Sequence, residues 1–346
     1  MRKLLILLVL IPMLILPAGA LELTAPEVPD SGAQHMPQDT GDFASGIWEL
    51  LGNVLGAVRP DLKEASKICL GLMGTVLLIS LLQGVSERTK QTANLAGTAA
   101  IATSLLLSAN SMITLGADTV TEICEYGKLL LPVLTAAMAA QGAGTASAAL
   151  YAGTAAFTTL LSNLIGKLLV PMAYLHLGLA AANSATGESV LKRLKDLLKW
   201  AMCWCLKSVL TLFTAYMGIT GAVTGATDAA VLKAAKTAIS TAVPVVGGVL
   251  SNAAESVLAG AALMKNAAGI YGILAMLAIF LEPFLRIGIQ FGMLKVTAAV
   301  TSVFGCKEMT DLIGDFSEAM GFLLAMTGSV CVLELISIVC FLKGVG

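Results

Sequence analysis

From residue 67 to the C-terminus, long apolar stretches alternate with short polar ones. Seven of them, at about 67–85, 93–116, 150–182, 201–222, 267–286, 288–305 and 319–342, approach or exceed the roughly 20 residues a helix needs to cross a bilayer. Two other stretches, 129–147 and 229–265, are apolar but interrupted. Pro132 and Gln141–Gly144 break the first; Pro244, Gly247 and Gly248 break the second. Proline removes a helix donor and glycine loosens the backbone, so each stretch predicts a hairpin that re-enters the membrane or lies on it. Ahead of the spans, Phe43, Ile47, Leu50, Leu51, Val54, Leu55 and Val58 recur at helical spacing. That pattern predicts an amphipathic helix, stopped by Pro60, that packs on the bundle or on the outer membrane surface. At the start, Arg2 and Lys3 precede an apolar run from Leu4 to Leu16, and Ala18-Gly19-Ala20 follows. This is the three-part pattern of a secretory signal peptide cleaved after Ala20. The fold expected is all-α: a polytopic helical membrane protein of about seven spans plus two proline-broken hairpins. It divides into a signal peptide (1–20), an extracytoplasmic tail with the amphipathic helix (21–65), and a multi-span membrane domain (66–346).

Composition supports the class and charge orients it. Only 12% of the 346 residues are charged and mean hydropathy is +0.87, against about 25% charged in an ordinary soluble domain. A soluble enzyme or a nucleic-acid binder is thereby excluded, and a net charge of −1 offers no field for DNA. Basic residues mark cytoplasmic ends, so Lys192, Arg193, Lys195 and Lys199 belong inside. Two spans within 127–183 would place them outside, so that stretch is read as one hairpin and one span. Acidic segments at 118–125 and 306–318 then fall outside, the N-terminus outside and Lys343 inside.

Candidate chemistry is sparse. The seven cysteines lie mostly in apolar runs and read as small buried hydrophobes. His35 and His176 are too few for a metal centre. Catalytic triads, phosphate loops and metalloprotease motifs are absent. The expectation is a non-enzymatic protein without cofactor. Charges within spans are costly and default to functional candidates. Lys167, Glu282, Arg286 and Glu334 are the candidate pore or gate residues. Glu282 and Arg286 stand at i, i+4 with the acid first, the favourable order for a helical pair. Lys167 has no local acidic partner, and Glu334 is a long-range one. Pro132 and Pro171 are 39 residues apart, as are Pro244 and Pro283. That spacing suggests two parallel repeats, each with a broken hairpin, a pattern associated with translocation sites.

The stretch Thr220–Gly269 carries a more specific signal, in Thr227-Asp228, Lys236, Pro244-Val245-Val246-Gly247, Glu255 and Lys265-Asn266. It resembles the characteristic region of the stage III sporulation protein AE family of endospore-forming bacteria. The resemblance implies a membrane subunit of a secretion-related channel complex between mother cell and forespore, needed for forespore development. It implies as partners the other mother-cell channel subunits, among them an ATPase and ring-forming proteins. A forespore membrane protein across the intermembrane space is a further implied partner. The implied location is the mother-cell membrane around the forespore. It supplies no catalytic residues. A stand-alone secondary transporter and a purely structural scaffold remain as alternatives.

Overall fold

The computed structural model describes residues 25–38, 40, 43–83, 87–140, 144–219 and 267–343. The signal peptide, the 229–265 hairpin with Pro244, Gly247 and Gly248, and most of the Thr220–Gly269 block lie outside the described residues. Those that are described form helices, with no strand among them. A short turn, α1 (Asp30–Ala33), precedes α2 (Phe43–Ala57) and α3 (Arg59–Gln83). Next come α4 (Glu87–Ala140) and α5 (Gly144–Leu164). A π-helical turn (Ile165–Leu169) joins α5 to α6 (Val170–Thr186). Then follow α7 (Ser189–Ile219), α8 (Ala267–Thr301) and α9 (Lys307–Lys343).

Six rods result: α2–α3, α4, α5–α6, α7, α8 and α9. Each is long and apolar enough to cross a membrane. Successive rods run in opposite directions. At one end, Ser80 Oγ donates to Phe304 O at 2.9 Å and Gln83 Nε2 lies 3.4 Å from Cys306 Sγ, so the α3–α4 and α8–α9 connections meet. At the other end, Tyr216 Oη donates to Ala149 O at 2.8 Å, and Gly269 sits against Leu342. Gly187 and Gly305, with φ of +71° and +79°, turn the α6–α7 and α8–α9 connections. Positive φ is the region glycine enters without a Cβ penalty.

The α8–α9 hairpin forms the centre. The most apolar window of α9 is 89% buried and that of α8 67%, against 22–33% in the other four rods. A helix apolar on all sides has no face to give to solvent and packs inside. Small residues let the outer rods approach. A Cβ on Gly127 of α4 would lie 2.7 Å from Glu334 Oε2 of α9, and one on Gly153 of α5 would collide with the Tyr216 ring of α7.

Three expectations change. Pro132 does not break a hairpin; it sits on the exposed side of α4, which runs unbroken from Glu87 to Ala140. Buried Leu130, Leu131, Leu134 and Met138 hold both sides of the proline against the bundle, and such packing outweighs one lost helix bond. The chain reverses only after Ala140. Consequently Glu122 and Asp118 belong to mid-helix turns and not to a loop. Likewise, 267–286 and 288–305 are one helix, α8, passing through Pro283. Among the described residues the seven expected spans become six rods, and the polarity of everything after Pro283 inverts. Lys195 Nζ bonds both Asp315 carboxylate oxygens at 2.6 Å, and Lys199 Nζ bonds Glu318 Oε2 at 2.8 Å. The basic cluster and the acidic segment therefore lie at the same end, not on opposite sides, and Lys343 lies at the other. As expected, the amphipathic helix stops just before Pro60, at Ala57, and Pro60 sits in the first turn of α3, where a proline has no intrahelical bond to lose. Finally, residues 25–38 are not a free tail. Gly32 packs on Ile279 and Ser31 Oγ donates to Glu122 of α4.

Candidate functional site

Glu282 and Arg286 lie near the middle of α8, one turn apart around Pro283. The helix carries both charges through the bundle because three elements supply partners. Arg286 Nη2 is 3.1 Å from Glu282 Oε1, the i, i+4 pair that the sequence suggests. From the N-terminal segment, His35 Nε2 is 2.6 Å from Glu282 Oε2, with the imidazole only 5% exposed. From α3, Asp61 Oδ2 is 3.1 Å from Arg286 Nε. These last two atoms are buried and form an ion pair without the alignment of a hydrogen bond. The chain of ionisable side chains thus runs His35–Glu282–Arg286–Asp61. Its outer members, His35 and Asp61, are not apparent in the sequence, because neither stands in an apolar span.

Beside Arg286 opens a cleft of about 410 Å³ between α3, α4 and α8. Asp61 and Glu64 line it from α3, and Arg286 and Gln290 from α8. From α4 come Ser104, Ser108 and Ser111, whose spacing of four and three residues stacks them on one helix face. Gln290 Nε2 donates to Ser108 Oγ at 3.0 Å, which closes the inner end. A row of hydroxyls, an amide and three charges flank a cleft at mid-helix depth, with Glu64, Ser104 and Ser111 exposed at its mouth. Irregular polarity at that depth is tolerated where it lines a water-filled cavity or is buried in protein.

The other two candidates separate. Glu334 is 1% exposed on α9 and accepts a hydrogen bond from Thr158 Oγ1 of α5 at 2.5 Å. Thr154 Oγ1 and Ser337 Oγ, one turn away, are 3.4 Å apart, so the α5–α9 seam is polar. Lys167 does not reach this seam. It is exposed on the π-helical turn Ile165–Leu169. The expected Lys167–Glu334 pairing is replaced by Thr158, because the turn points the lysine away from α9. The repeat is half outside the described residues; within them, Pro171 follows a π turn whereas Pro283 sits in unbroken α-helix.

Among the described residues no cluster of His, Cys, Asp and Glu could hold a metal ion. The ring of buried His176 packs edge-on against Phe322 at 5.9 Å.

Residues 34–344 match the family described as stage III sporulation protein AE. A curated relative, the stage III sporulation protein AE of Bacillus subtilis (strain 168), is 23% identical over 277 residues, covering 77% of this chain and 69% of that protein. No solved structure matches the chain. The family match begins at the last turn of the N-terminal segment, one residue before His35, so it includes every member of the His35–Asp61 chain.

Proposed function

Given that this chain belongs to the stage III sporulation protein AE family, we propose that it is a membrane-embedded subunit of the channel complex linking mother cell and forespore. Its role is non-enzymatic: it contributes a hydrophilic wall through the mother-cell membrane around the forespore. The observation that carries this reading is the cleft at Arg286. Three rods place Asp61, Glu64, Arg286, Gln290 and three serines around one cleft at mid-helix depth, open at the surface of an otherwise apolar bundle. A scaffold alone has no need of such a surface, which costs desolvation energy wherever lipid touches it.

The partners are the other mother-cell channel subunits, including an ATPase and ring-forming proteins, and a forespore membrane protein reached across the intermembrane space. The end of the bundle that holds Lys192, Arg193 and Lys307 faces the cytoplasm in this reading, by the excess of basic residues there. The N-terminal segment and Lys343 then face the intermembrane space after signal removal.

A deletion strain tests the reading. Development is expected to stop after engulfment, and to resume with the wild-type chain. Complementation with Arg286→Ala is expected to restore co-purification of the other subunits but not forespore development. Normal sporulation in the deletion strain would overturn the proposal, and full rescue by Arg286→Ala would favour a scaffold.

A further inference from the structure

The lining of the Arg286 cleft specifies more than water. The volume of about 410 Å³ falls in the range of about 300–1,000 Å³ typical of small-molecule sites and far exceeds what one desolvated ion needs. The charges sit on different rods. Arg286 projects from α8, while Asp61 and Glu64 project from α3. Arg286 already faces two carboxylates, Asp61 at Nε and Glu282 at Nη2, each at 3.1 Å, and these occupy only part of its five-donor fork. Glu64 is exposed at the cleft and makes no ion pair among the described residues. Apolar side chains, Ile68, Leu107, Met112 and Ile289, complete the wall.

A solute matching this lining carries a carboxylate for Arg286, an ammonium for Glu64, and a small apolar group. Electrostatics favours carrying both charges together. Bringing a net charge into a low-dielectric bundle is expensive, whereas a zwitterion with each end paired adds no net charge. We infer that the cleft between α3, α4 and α8 binds a free α-amino acid with an apolar side chain. This deepens the conduit reading by naming a solute class for the same surface, and it rests on that reading for its role in transport though not for binding.

The test uses the full-length chain in nanodiscs and three probes of one shape: L-leucine, 3-methylbutylamine, which lacks the carboxylate, and 4-methylpentanoate, which lacks the ammonium. Leucine is expected to bind saturably, and each truncated probe about tenfold more weakly, the effect of losing one charge-assisted contact. Glu64→Gln, a change at an exposed position, is expected to weaken leucine by about the same factor and to leave 4-methylpentanoate unaffected. A merely structural role for Glu64 would weaken both probes equally. Absent leucine binding, 3-methylbutylamine binding as tightly as leucine, or no effect of Glu64→Gln would each overturn the inference. The strain test is independent: leucine binding with normal sporulation in the deletion strain would strike the channel role alone. Lost binding with a sporulation defect would strike only the solute class.

Discussion

Glu282 is the residue at which the N-terminal segment, α8 and α3 become one charge system. Its carboxylate takes His35 on one oxygen and Arg286 on the other, and Arg286 passes the chain to Asp61. Glu282 is 13% exposed, so its neutral replacement takes the carboxylate from a buried imidazole and leaves the Arg286 guanidinium with Asp61 alone. Glu282→Gln is expected to destabilise the protein by about 2–4 kcal/mol, toward the low end because Arg286 keeps access to solvent. A fall in the detergent unfolding temperature would show it. His35→Gln, which retains a donor, is expected to cost less than Glu282→Gln. Gly127 is the residue-scale counterpart on the other side of the bundle. Any side chain there meets the Glu334 carboxylate, so Gly127→Ala is expected to cost about 1–3 kcal/mol by overpacking. Gly52→Ala, where nothing lies within 4 Å, is the matched control and is expected to be neutral or slightly stabilising.

The elements show where local signals and tertiary structure part. Apolar length and spacing located every rod, and the helical spacing of Phe43, Leu50 and Val54 identified the face of α2 that packs inward. The i, i+4 order of Glu282 and Arg286 anticipated their pair. What the pattern misjudged were helix ends at prolines and charges. Pro132 read as a break, and 267–286 and 288–305 read as two spans, because partners distant in the chain are invisible in a local window. His35 is 247 residues from Glu282. Once that partner is supplied, α8 continues through the charges. The same blindness affected α7 and α9. Lys195 and Asp315 look like loop charges of opposite sides, yet each is about nine-tenths buried against the other. Lys195→Ala is expected to destabilise by about 3–5 kcal/mol, since it strands a buried carboxylate. The double change Lys195→Met with Asp315→Leu is expected to recover most of that loss, because a packed apolar pair needs no counter-charge. A thermal-shift series on the three proteins checks both statements.

At the scale of the whole molecule, the six antiparallel rods of the described residues place Phe43, where the first rod starts, and Lys343, where the last ends, on the side opposite to Lys192. Single cysteines at positions 192 and 308 are therefore expected to react from the same face of the membrane, and one at 343 from the other; labelling of 192 and 308 from different faces would refute the bundle. The helices α8 and α9 form a buried centre, and the cleft opens between α8 and two outer rods, at mid-depth. The functional account stands on that cleft being hydrated. Its most direct test is the reactivity of Ser108→Cys toward a small, charged methanethiosulfonate in intact membranes, compared with Leu78→Cys on the exposed apolar face of α3. The account predicts rapid modification at 108 and almost none at 78. A cysteine at 108 as inert as the one at 78 would mean the serine row is sealed from water, and would contradict it.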